Sequence, residues 1–256
     1  MQSHTDLLND DYVKSFVLKA KKNAGPVAVT IETERASNGA LSSKVGTKFA
    51  YSKVQVDKGQ LKPDGGKVLE MSLKLTPEVK VSFKGSKGAD LGVDYVKGNF
   101  YGTAVLDVLE MSKLSTSACL GLPSGIKVGG STSYALSGSS GFGGFNVGAS
   151  YATGPIFASV TATNKKAVSL GLLYKVNGDL SLGSMTTHST DKACTVLGLG
   201  GAYKAPVGTI KAKFASDGIV SASLVREIAP KVVLTATGSV SPSDLSTFKP
   251  GIQISM

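Results

Sequence analysis

The 256-residue chain has no tryptophan and only two cysteines, two histidines and two arginines. No run of ~20 predominantly apolar residues occurs, so no transmembrane helix is expected. The polar start, Met1 to Asp11, lacks the apolar stretch of a secretory leader, which argues against a secreted or bacterial outer-membrane protein. Cys119 and Cys194 cannot make a disulfide framework and lack metal-ligand spacing; two free thiols without a leader point to an intracellular setting. His4 and His188 stand apart from each other, from the cysteines and from any nucleophile motif, so neither a catalytic nor a metal site is expected. With Arg35 and Arg226 the only arginines, the net charge of +10 rests on lysine. Sequence-specific nucleic-acid readers depend on arginine forks, and the aromatic residues here are not clustered with the lysines. A nucleic-acid partner is therefore not expected. Charged residues amount to 18%, fewer than the ~25% usual in soluble domains.

What is abundant is glycine, 31 residues, and a period of two. Val79, Val81 and Phe83 alternate with Lys80, Ser82 and Lys84; Leu69, Met71 and Leu73 with Glu70, Ser72 and Lys74; Val168, Leu170, Leu172 and Tyr174 with Ala167, Ser169, Gly171, Leu173 and Lys175. Successive strand side chains point to opposite faces, so each segment has one apolar and one polar face. Turn signals such as Asn38-Gly39, Pro63-Asp64-Gly65-Gly66, Asn177-Gly178-Asp179 and Asp217-Gly218 separate the segments. The alternation predicts about nineteen strands between roughly residues 15 and 256, each bounded to within a few residues.

A soluble β-sandwich of that many strands would leave long open edges. Its wet face would also need more charge than the stretch Val128 to Asn164 supplies, which has none. A closed transmembrane barrel removes the edges, gives the apolar face to lipid and the polar face to water. The expected fold is therefore an all-β transmembrane barrel with no second folded domain. Lys58 and Arg226 fall on the apolar parity and are exceptions to its lack of charge, Arg226 near a strand end and Lys58 in the least regular segment.

Three segments resemble the eukaryotic mitochondrial porins, the voltage-dependent anion channels. Asp6-Leu7-Leu8-Asn9-Asp10-Asp11-Tyr12 is similar to the D-L-L-x-x-D-Y that ends that family's N-terminal helix. Thr209-Ile210-Lys211-Ala212-Lys213-Phe214, followed by Asp217-Gly218-Ile219, is similar to its T-x-K-A-K/R run before a glycine turn. Lys249-Pro250-Gly251-Ile252-Gln253-Ile254-Ser255-Met256 matches the C-terminal signal read by the mitochondrial barrel-insertion machinery, through Lys249, Gly251, Ile252, Ile254 and Met256. The family barrel has nineteen strands, so the strand count and the resemblance form one expectation rather than two. The resemblance implies a short N-terminal helical segment in or near the lumen, residues 1–12, of two turns or fewer, followed by a barrel over residues 13–256. It departs from the family where Glu78-Val79-Lys80 replaces the nucleotide-associated G-L-K; Gly125-Ile126-Lys127 is closer, at another place.

The glycine clusters Gly141-Phe142-Gly143-Gly144 and Gly198-Leu199-Gly200-Gly201 do not complete a phosphate-loop pattern and read as relief of crowding inside a barrel. The lysines carry the functional expectation. By parity Lys19, Lys21, Lys44, Lys48, Lys74, Lys80, Lys84, Lys127, Lys175, Lys211 and Lys213 share the polar face with Glu32, Glu34, Glu70, Asp94 and Asp107. A positive wall around water biases permeation toward anions. The expectation is a mitochondrial outer-membrane channel passing small anionic metabolites, nucleotides included, by passive diffusion. It would have no cofactor and no enzymatic turnover. Its partners would be membrane lipids, permeant anions and the insertion machinery, with oligomerisation left open. Two rival readings stand beside it: the pore of the outer-membrane protein translocase, and a porin-like structural subunit of a larger membrane complex.

Overall fold

A computed structural model describes residues 4–36, 38–138, 141–164, 166–191 and 194–256. The helix α1 spans His4–Asn9. The strands are β1 (Phe16–Ala24), β2 (Val27–Arg35), β3 (Leu41–Tyr51), β4 (Val54–Leu61), β5 (Lys67–Lys74), β6 (Val79–Gly85), β7 (Ala89–Lys97), β8 (Phe100–Asp107), β9 (Lys113–Gly121) and β10 (Ile126–Ala135). They continue as β11 (Gly141–Thr153), β12 (Ile156–Thr163), β13 (Ala167–Lys175), β14 (Leu180–Ser189), β15 (Cys194–Ala205), β16 (Gly208–Ala215), β17 (Val220–Ala229), β18 (Val232–Ser241) and β19 (Asp244–Ser255).

Consecutive strands are hydrogen-bonded neighbours, antiparallel wherever their register is described, and β1 pairs with both β2 and β19. The sheet thus returns on itself as a closed 19-stranded barrel. An odd number of up-and-down strands leaves the first and last pointing the same way. Phe16–Lys19 accordingly run parallel to Ile252–Ser255, and the Met256 N–H donates to the Lys19 carbonyl at 2.9 Å. The connections are short. The Gly98-Asn99 link between β7 and β8 puts Gly98 at φ +55°, a left-handed conformation that glycine adopts without a Cβ penalty.

Two compact units make up the chain: one comprises residues up to Ala20, Thr33–Ser42 and Ser150–Met256, the other Lys21–Glu32 and Ser43–Ala149. In the first, the alternation expected for β13 is physical. Val168, Leu170, Leu172 and Tyr174 are 41–54% exposed on the outer face, while Gly171 and Leu173 are buried on the other, under α1. Leu7, Leu8 and Leu173 form its small buried core, with Phe157, Met185 and Ala202 packed around it. So many large apolar side chains left on one face require a non-aqueous solvent, which hydrocarbon supplies.

The second unit holds an irregularity that alters one expectation. Val56 lies opposite Met71 and Lys58 opposite Glu70, so Asp57 is an extra residue, a β-bulge. Opposed residues share a face. The bulge therefore returns Lys58 to the polar face beside Glu70, and it is not an exception on the apolar side. Arg226 does remain there: it lies opposite Leu234, near the end of β17.

Candidate functional site

Site geometry begins with the N-terminal segment. Asp6 sits in the first turn of α1, where a carboxylate complements the helix dipole. The helix stops because Asp11 adopts φ +67°, a left-handed conformation that aspartate tolerates better than most residues. Three glycines on neighbouring strands make room for the helix. A Cβ on Gly171 would strike the His4 ring, one on Gly183 would come within 3.3 Å of Leu7, and one on Gly200 within 2.7 Å of Leu8. His4 is buried and stacked on Phe157, with 5.9 Å between ring centroids. Burial holds its imidazole below the ordinary histidine range, an effect that the Asp6 carboxylate opposes.

The end of the helix is clasped by β16 and β17. Lys211 Nζ pairs with Asp11 Oδ2 at 2.7 Å, Lys213 Nζ donates to the Leu8 carbonyl at 2.8 Å, and Ser223 Oγ donates to the Asp11 carbonyl at 2.7 Å. Lys213 also lies 4.1 Å from the centroid of the Tyr12 ring, a cation–π contact. Burial, with the Asp11 charge adding to it, pushes the Tyr12 phenol up to about 12. Downstream, Thr237 Oγ1 donates to the Val13 carbonyl, which lies against Gly251 so closely that no Cβ would fit there.

The eleven lysines expected on the polar face thus have different surroundings. Lys211 and Lys213 hold the N-terminal segment. Lys44 pairs with Glu32 at 2.6 Å, Lys80 with Asp57 at 3.9 Å and Lys84 with Glu70 at 3.7 Å. Among the described residues no ion pair reaches Lys19, Lys21, Lys48, Lys74, Lys127 or Lys175. Lys74 lies directly opposite Lys80, so like charges face each other across β5 and β6. Register also places groups that parity alone missed. Asp90, opposite Lys84 and next to Asp107, joins Asp57 as a second additional carboxylate on this face. The row Lys58, Glu70, Lys84, Asp90, Asp107 crosses five strands with nearly balanced charge.

The balance differs in the first unit. Lys213, Ser221, Ser239 and Lys249 lie in one row across β16 to β19. Together with Tyr12, Lys14, Thr237 and Asp217 they line a pocket of about 200 Å³. Three ammonium-bearing side chains there face one carboxylate. Hydroxyl groups beside ammonium groups are the donor set that an oxyanion needs. Lys249 and Gly251, expected only as parts of a sorting signal, therefore also shape the wall beside the N-terminal segment. Ile252 and Ile254 lie opposite Ala236 and Leu234 on the outer face, and Met256 continues that parity.

A closed barrel with an apolar exterior, a polar interior and a segment docked inside defines the porin class of membrane channels, an outer-membrane type of protein. The sequence profile of the eukaryotic porins matches residues 2–251, and the chain belongs to that family. No curated protein matches it. Among solved structures it is similar to OmpT, in-vitro folded, an outer membrane protein of Vibrio cholerae. The two share 11% identity with a TM-score of 0.48, over 80% of this chain and 90% of that one.

Proposed function

We propose that this porin is a mitochondrial outer-membrane channel in which small anionic metabolites, nucleotides among them, diffuse passively along a basic inner wall. The observation that supports this reading is the pocket of Lys14, Lys213 and Lys249, with Ser221 and Ser239 between the last two. Lysine is a mobile point charge, and several weak contacts of this kind concentrate anions without trapping them. Lys19, Lys21, Lys48, Lys74, Lys127 and Lys175, which no ion pair among the described residues reaches, extend the same bias along the polar face. Residues 1–12 and the barrel 13–256 work as one unit in this reading, because the segment narrows the interior where the lysines hold it. The C-terminal strand is the part that the insertion machinery would read.

The test is the reversal potential of the purified protein in planar bilayers under a potassium chloride gradient. An anion-preferring potential, reduced in the Lys14→Ala, Lys249→Ala double variant, is expected. A cation-preferring potential, or no conductance from folded protein, overturns the proposal.

A further inference from the structure

The outer face of the second unit is not uniformly bulky. Thr47, Gly59, Leu69 and Gly85 oppose one another in a single row across β3 to β6. The two glycines flank Leu69 and leave a trough in a surface otherwise built of large apolar side chains. The Phe83 ring leans over the outer glycine: a Cβ on Gly85 would lie 3.2 Å from it. The result is an open groove of about 470 Å³, walled by Val45, Leu61, Leu69 and Phe83.

The groove ends at a cation. Leu61 and Lys67 form the last opposed pair before the turn between β4 and β5, so Lys67 leaves the strand on the outer face, at the groove's mouth. Lys62, across from Gly66, lies on the other face of the same turn, and among the described residues Lys67 has no ion-pair partner. The one carboxylate of the turn, Asp64, is engaged within the turn: its Oδ1 accepts the Gly66 N–H at 2.9 Å. An ammonium group at the edge of a hydrocarbon-facing surface reaches for the lipid headgroup layer.

We infer that this groove is a binding site for one anionic phospholipid, with an acyl chain lying over Gly59 and Gly85 and the headgroup phosphate held by Lys67. A zwitterionic lipid fills the same trough but carries a cationic group that Lys67 repels. An anionic headgroup is therefore preferred, by on the order of fivefold through Lys67.

The absence of tryptophan makes the test direct. Phe83→Trp places the only indole in the groove, with Leu69→Trp as a second reporter should the first variant fail to insert, and Tyr174→Trp on β13 as an outer-face reference. Each is reconstituted in phosphatidylcholine vesicles containing an equal mole fraction of phosphatidylglycerol or phosphatidylcholine brominated on the acyl chain. Stronger quenching by the brominated phosphatidylglycerol is expected in the groove but not at position 174. Lys67→Ala should abolish the preference and Lys67→Arg should retain it. Equal quenching by both headgroups, or a preference that survives Lys67→Ala, overturns the assignment. So does quenching that falls as protein density in the membrane rises, since a second copy of the chain would then occupy the groove.

Discussion

Lys211 Nζ lies 2.7 Å from Asp11 Oδ2, and the lysine side chain is only 7% exposed. The two residues belong to separate motifs, Asp6–Tyr12 at the start of the chain and Thr209–Phe214 far along it, which resemble the same family for what look like unrelated reasons. Their contact supplies a common one. A helix of six residues is too short to be stable alone. It persists because the Leu8 carbonyl of its last turn and the Asp10 and Asp11 carbonyls just beyond it find ammonium and hydroxyl donors on β16 and β17.

Breaking this pair should be asymmetric. Asp11→Ala leaves the Lys211 ammonium nearly buried, with the Asp10 carbonyl at 3.4 Å as its remaining partner, whereas Lys211→Met leaves a carboxylate that water reaches. The first variant should weaken docking of the segment by roughly 1–3 kcal/mol, less than the cost of stranding a fully buried charge because Asp11 is partly solvated. The second should weaken it by less. Hydrogen–deuterium exchange of residues 4–13 in detergent measures both. Protection in both variants as high as in the unaltered chain would show that the pair does not hold the segment.

The fit of the helix against glycine has its own signature. The three nearest atoms to a Cβ on Gly171 all belong to His4, so Gly171→Ala presses on the helix and leaves the wall alone. It should cost about 1–3 kcal/mol of docking, as overpacking usually does. His4→Ala in the same chain should restore protection of the segment. Failure of the double variant to recover would mean that Gly171 matters to the barrel and not to the helix.

Docking should also depend on pH in one direction. The His4 imidazole is buried against Phe157, and its proton affinity when docked is below the usual value near 6.5. The undocked segment therefore takes up the proton first as the pH falls. Docking is at full strength above about 6.5 and weakens as the pH drops from there toward the docked value. The nearby Asp6 reduces the effect without reversing it. Exchange protection of the segment at pH 5 should be lower than at pH 7.5, and His4→Phe should remove the difference. Protection that is unchanged or stronger at pH 5 would contradict the assignment.

Much of this arrangement is legible in the residues themselves. Strict alternation locates β2 at Val27–Arg35 and β6 near Val79–Gly85, and parity separates the outward Val168, Leu170 and Leu172 from the inward Gly171. What alternation cannot give is register. Leu173 sits on the polar parity as an apolar residue, and only the docked helix explains it. Asp90 becomes a wall carboxylate through its position opposite Lys84. Lys211 and Lys213 look like free cations until the N-terminal segment folds back on them. No one-dimensional signal brings residues 11 and 211 together; the likeness of both segments to one family is the nearest hint.

The bulge at Asp57 offers a test of register itself. Removing one residue from a regular strand moves every following side chain to the opposite face, which in a membrane barrel turns charges toward lipid at about 2–4 kcal/mol for a lysine at mid-bilayer. Asp57 is different because it is the surplus residue between the Val56–Met71 and Lys58–Glu70 pairs. Its deletion should join those pairs into an unbroken ladder, with Lys58 and Gln60 still on the polar face. The loss should be confined to what the carboxylate does: it accepts the Ser72 hydroxyl at 2.5 Å and lies 3.9 Å from Lys80. A cost of roughly 1–3 kcal/mol is expected, in keeping with one charge-assisted hydrogen bond. Deleting Ser72, within a regular stretch of β5, should instead prevent folding into detergent or lipid. Refolding yield and heat resistance on gels separate the two outcomes. If the Asp57 deletion failed as completely as the Ser72 deletion, Lys58 would not owe its face to the bulge.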